Sequence, residues 1–183
     1  IQVLNFFGVA SPEQWEAGWT QHRLSFRRSA RLQSKLEPTS AWLRQGEIEG
    51  TKINCKDFDE SLLRDKIPQL RELSLTTDPE KFRPLLVQMC SDFGVAVVFV
   101  PHLKGVPVCS AARWLNPKKA LVQLSLRYKT HDVLWFTFFH ELAHVLLHKK
   151  KDIFVDLSDF GVSDNQTEED EANTFAADTL IPP

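Results

Sequence analysis

The chain has 183 residues, and 22 Lys plus Arg against 24 Asp plus Glu leave a net charge of −2. Hydrophobic residues at 43% and charged residues at 25% exclude a disordered, collagen-like or disulfide-scaffold protein. A chain this long can bury roughly 70% of its unfolded surface without staples. Cys55, Cys90 and Cys109 are odd in number and widely spaced, which suits reduced thiols in the cytoplasm, and no Cys-x-x-Cys offers a structural zinc site. The longest apolar runs, such as 95–100 and 133–136, fall far short of the roughly 20 residues a membrane span needs. No charged-then-apolar signal-peptide pattern is read at the opening of this sequence. The chain opens at Ile1 inside an apolar stretch, so we expect it to be part of a longer protein.

The first half reads as helices. Ser11-Pro12-Glu13-Gln14 is a helix start, with Ser11 as N-cap and Gln14 reaching back. Helical pieces are expected near 12–20 and 23–36, and Pro38-Thr39 opens another that carries Trp42, Leu43 and Ile48. Residues 59–73 place Leu62, Leu63, Ile67, Leu70 and Leu73 at helical spacing, with Pro68 as a kink or break. Asp78-Pro79-Glu80 caps a helix that ends at Gly94.

From residue 95 the pattern changes. The β-branched run 95–100 is that of a buried strand. Val106 to Ser110 is a second candidate, Asn116-Pro117 marks a turn, and 120–126 alternates as a third strand. Helices return at 132–148 and 168–180, with a polar loop at 149–167 between them.

The chemistry concentrates in His140-Glu141-Leu142-Ala143-His144. Positions i and i+4 share a helix face, so both imidazoles can point at one metal ion. Glu141 can then reach a metal-bound water as general base, the arrangement of zinc proteases. Eleven of the fifteen residues from Val133 to Leu147 are apolar, so this helix is a buried one. Buried imidazoles and a carboxylate must be paired or metal-bound; the bland alternative is a hydrogen-bonded core cluster. His148 lies eight residues after His140, about 12 Å along the axis, too far to share the ion comfortably. It reads as a packed or hydrogen-bonded residue at the helix end.

A third ligand is sought in the helix that Thr167 would cap. Acids crowd its first turn, where the helix dipole favours them without any further role. Ala172, Phe175, Ala176 and Leu180 mark its inward face. Glu168 and Glu169 both flank that face and Asp170 points away, so periodicity leaves the two glutamates open.

Residues 140–148, HELAHVLLH, with 169–182, EDEANTFAADTLIP, resemble the ImmA/IrrE-type metallopeptidases. VAVVFV, RWL, LSLRYKT and WFTFFHELAHVLLH are similar to the longer members fused behind an XRE-type helix-turn-helix domain, and LNFFGVASPEQW resembles the segment that follows that domain. The resemblance implies a cytoplasmic zinc-dependent endopeptidase with His140 and His144 as ligands, Glu141 as catalytic base and Glu169 as third ligand. Asn173, one turn later, would hydrogen-bond a ligand. It also implies a protein substrate, an XRE-type repressor or an antitoxin, in stress response, mobile-element control or phage defence. DNA would be bound only through an upstream helix-turn-helix domain.

The expected fold is α+β: a zincin-like metallopeptidase core over 76–183, its small sheet of about three strands packed on an active-site helix, preceded by a helical region over 1–75. Tyr128 and His131, just before that helix, are candidate oxyanion donors; packing is the ordinary role of such a tyrosine. Strand 120–126 is the candidate edge for an extended substrate. The alternative function is a non-proteolytic metal-binding sensor or docking domain of a transcription regulator. The basic cluster Arg23, Arg27, Arg28, Arg31 and Lys35 reads as a solvated helix face rather than a nucleic-acid site, and so does Lys149-Lys150-Lys151 at a helix end.

Overall fold

The computed structural model describes residues 2–18, 36–104, 108–125, 130–148, 154–157 and 166–182. In chain order the elements are α1 (Gln2–Phe7), α2 (Leu36–Lys52), α3 (Glu60–Leu73), α4 (Pro79–Asp92), β1 (Val95–Phe99), β2 (Val108–Asn116), β3 (Lys119–Leu124), α5 (His131–Leu147), β4 (Phe154–Leu157) and α6 (Gln166–Leu180). A further helical stretch covers 12–18. The helix expected at 23–36, the basic cluster within it and Lys149-Lys150-Lys151 fall outside the described residues, apart from Leu36, which opens α2.

Local chemistry sets most of the boundaries. The Gln14 amide N–H donates to Ser11 Oγ at 3.3 Å, and Gln14 Oε1 accepts from the Ala10 N–H at 2.9 Å. Asp59 accepts from the Leu62 N–H and starts α3; Asp78 accepts from the Glu80 N–H and starts α4, with Pro79 in its first turn. Pro68 does not break α3, which runs on to Leu73 because Leu63 and Leu70 on either side of it are anchored in the core. Gly94 stops α4 with a φ of +86°, and a Cβ there would collide with the Phe58 backbone. Pro117-Lys118 turns β2 into β3, and Asn116 Oδ1 accepts from the Lys118 N–H at 2.9 Å.

Among the described residues the sheet has four strands in the order β1-β3-β2-β4, where the sequence suggested about three. β1 runs parallel to β3 (Val95 opposite Ala120), while β2 is antiparallel to both β3 and β4. Two expectations are corrected here. Strand 120–126 is not an edge: β3 is paired on both sides, which leaves no backbone row for a substrate, and the edges are β1 and β4. The segment 149–167 is not simply loop, since Phe154–Leu157 pairs with β2; four residues carry too little periodicity to be read.

Both sheet faces are covered, as the unbroken apolar run of β1 requires. Val95, Val97, Ala112, Ala120, Val122 and Leu124 join Trp135, Phe138, Phe139 and Leu142 of α5, with Leu63 and Leu70 of α3 and Phe82 and Leu86 of α4. The alternate residues Ala96, Val98, Ala111 and Leu121 pack on Trp42 and Leu43 of α2. Packing therefore runs across the expected boundary at residues 75 and 76. Polar groups also tie α2 to the sheet. Gln123 Nε2 donates to the Trp42 carbonyl at 2.7 Å, and Arg113 reaches the Leu43 carbonyl at 3.2 Å and Glu47 at 3.3 Å. Burial lowers the Arg113 pKa, and the Glu47 carboxylate opposes that shift.

Candidate metal centre

Helix α5 lies between the sheet and α6, so its long apolar stretch is buried on nearly every side. Trp135, Phe138 and Phe139 anchor it in the core shared with the sheet, and the Trp135 ring packs on Phe82 of α4 with centroids 5.4 Å apart. That packing fixes the rotation of the helix and therefore where the next turn points. His140, Glu141 and His144 are all buried, and Glu141 has no exposed surface.

The polar side of α5 meets α6. Among the described residues, His140, His144 and Glu169 form a group able to share one metal ion. The Nε2 atoms of His140 and His144 stand 3.0 Å apart. Glu169 turns one carboxylate oxygen to each: Oε2 is 3.3 Å from His140 Nε2 and Oε1 is 3.6 Å from His144 Nε2. Four-coordinate zinc with bonds of about 2.0–2.2 Å places its ligand atoms about 3.3–3.6 Å apart, and the observed separations of 3.0, 3.3 and 3.6 Å lie at or near that range.

The hydrogen bonds behind the ligands fit as well. Asn173 Oδ1 is 3.0 Å from His140 Nδ1 and can only accept, so Nδ1 carries the proton and Nε2 turns its lone pair to the centre. Burial, then the neighbouring His140 and His148 charges, lower the His144 pKa to about 2, so the ring is held as the neutral form that ligates metal. Two imidazole lone pairs and a carboxylate converging on one point is an arrangement a cation satisfies. Glu169 leaves 26% of its side chain exposed, so the centre opens to solvent on the α6 side.

The remaining sequence candidates separate cleanly. α6 begins at Gln166, so Thr167 lies inside the first turn rather than capping it. Asp170 is exposed and accepts from Gln166 Nε2 at 2.9 Å, away from the centre as its helical angle requires. His131 opens α5, about 13 Å along the axis from His140. Its Nε2 donates to the Ser74 carbonyl at 2.5 Å and its ring packs against Phe82 and Trp135, so it is not brought to the centre. Tyr128 lies outside the described residues. His148, no member of the ligand group, stands behind His144 with its Nδ1 2.8 Å from His144 Nδ1 and its Nε2 3.1 Å from Glu171 Oε2. The reading of the sequence did not single out Glu171 among the acids of its turn.

Residues 119–183 match the model of the IrrE N-terminal-like domain of the M78 peptidases. Over this segment the chain is similar to the ImmA/IrrE peptidase family. No curated protein and no solved structure shows significant similarity to the chain. The IrrE-like segment contains β3, α5, β4 and α6, and with them every residue of the candidate centre. It leaves β1, β2 and α2–α4 outside the match, although β1 and β2 flank β3 and α4 packs in the same core as α5. No described helix is long and apolar enough to cross a membrane.

Proposed function

We propose that this IrrE-like protein is a zinc-dependent endopeptidase of the cytoplasm whose substrate is a DNA-binding repressor of the XRE type or an antitoxin. The convergence of His140, His144 and Glu169 around a common point, with Glu141 on the same helix, is the observation that carries the reading. Substrate class and compartment rest on the family resemblance and on the wide spacing of the three cysteines, none of which is in a disulfide.

His140, His144 and Glu169 would hold the ion, Asn173 keeping the His140 ring oriented. A zinc ion held there supplies an acidified water and a Lewis acid for the scissile carbonyl. Glu141 is the group that takes the proton of the attacking water and returns it to the leaving amine, restoring its own carboxylate. Burial of Glu141 keeps bulk water from competing for that proton. His131 is committed to Ser74 and is assigned no part in the reaction.

The test is Glu141→Gln. The amide is nearly isosteric and, in this reading, touches no metal, so zinc content and thermal stability stay at the wild-type level. Cleavage of an XRE-type repressor, followed by gel and mass spectrometry, should slow by about 10²–10⁴-fold. A variant that cleaves at the wild-type rate, or a wild-type protein that takes up no zinc, would overturn the proposal.

A further inference from the structure

We propose that His148 and Glu171 are positioning residues that hold His144 in its metal-ligating tautomer through a relay of two hydrogen bonds. The inference rests on the reading of His140, His144 and Glu169 as a zinc site.

His140, His144 and His148 stand one turn apart, and their rings form a column with centroid separations of 4.7 and 4.9 Å. His148 is the C-cap of α5; its extended backbone (φ −111°, ψ 170°) takes it out of the helix, although its N–H still bonds to the His144 carbonyl. The His148 side chain is only 3% exposed, whereas that of Glu171 is 55% exposed. The relay therefore runs from solvent-facing Glu171 inward to a fully enclosed ring.

Its direction follows from counting protons. An ionised carboxylate only accepts, so His148 Nε2 carries the proton it gives to Glu171. In a neutral imidazole the other nitrogen is then an acceptor, so His148 Nδ1 receives the Nδ1–H of His144 across 2.8 Å. With its proton on Nδ1, His144 turns the Nε2 lone pair toward His140 and Glu169. The reverse tautomer would aim an N–H at the point the ligands share. Asn173 performs the same service for His140, so α6 supplies one ligand and the outer support of both histidines.

His148→Leu removes the acceptor, while His148→Asn restores one, since Asn Oδ1 can stand where His Nδ1 stood. Zinc affinity, measured by competition with a chromophoric chelator, should fall about 10–100-fold for His148→Leu and stay within about threefold of wild type for His148→Asn. Glu171→Lys replaces the outer acceptor by a donor on an exposed surface that tolerates it; it should weaken zinc more than Asp170→Lys, which changes the local charge equally. ¹⁵N spectra of the zinc-loaded wild type should show His144 protonated at Nδ1. Unchanged affinity in His148→Leu, equal losses in His148→Leu and His148→Asn, or equal losses in Glu171→Lys and Asp170→Lys would overturn the relay. A wild type that binds no zinc would instead overturn the site itself.

Discussion

At the scale of single residues, burial decides what each polar or reactive group can do. His140, Glu141 and His144 sit in a helix interior where a lone ion would be costly, and the surrounding contacts answer that cost residue by residue. Cys90 illustrates the opposite use of the same physics. It is fully buried, and burial together with the nearby Cys55 holds its pKa well above the ordinary thiol range. The thiolate is the reactive form, so Cys90 should resist alkylation by iodoacetamide at pH 8 in the native protein and react once the protein is unfolded. Peptide mass mapping that finds Cys90 modified as fast as a free thiol would contradict this. Cys55 is half-buried and raised more by burial than Lys119 lowers it, so it should label ahead of Cys90.

At the scale of elements, the centre is a property of two helices facing each other. α5 places His140 and His144 one turn apart, and α6 crosses it so that Ala172 and Ala176 pack inward while Glu169 and Asn173 meet the histidines. Small residues on the buried face let the helices approach closely enough for a short carboxylate to reach. Both first-turn glutamates of α6 share the helix dipole, but only Glu169 joins the ligand group. Glu169→Ala should therefore weaken zinc binding by at least tenfold, and Glu168→Ala should leave it within about threefold. Isothermal titration of both variants settles the matter, and equal losses would mean that the two acids act only through their charge.

At the scale of the whole molecule, the sheet is enclosed by α2 on one face and by α3, α4 and α5 on the other, with α6 outside α5. The candidate ligand imidazoles therefore lie inside the folded state, and protonating them there opposes folding. The His144 pKa is about 2 in the fold against about 6.5 in the unfolded chain. Above pH 6.5 both states hold the ring neutral and its full contribution to stability is present. As pH falls through 6.5 the unfolded chain takes up the proton first, so stability is lost from there down to about pH 2. Metal-free protein should thus lose thermal stability between pH 7.5 and 5, before most carboxylates titrate, with a slope approaching about 1.4 kcal/mol per pH unit. A His144→Gln variant should show a shallower slope, and identical slopes for the two proteins would count against a buried neutral His144.

The sequence by itself determined what periodicity and local capping encode. The i, i+4 histidines inside a mostly apolar stretch announced a buried helix and, on one face of it, a candidate pair of metal ligands. The acid and proline signals at Asp59 and Asp78-Pro79 located helix starts, and the β-branched run at 95–100 located a buried strand. These features act within a few residues of one another, so a linear reading captures them. α1 escaped that reading because six residues hold too little of a pattern. Tertiary structure alone decided which glutamate faces α5, since Glu168 and Glu169 flank the same inward face and only the crossing of two helices separates them. It also decided that β3 is interior and β4 an edge, because strand order arises from pairing between segments distant in the chain. The link from Glu171 through His148 to His144 is of the same kind: Glu171 lies 23 positions after His148 in sequence and meets it only when α6 folds back along α5.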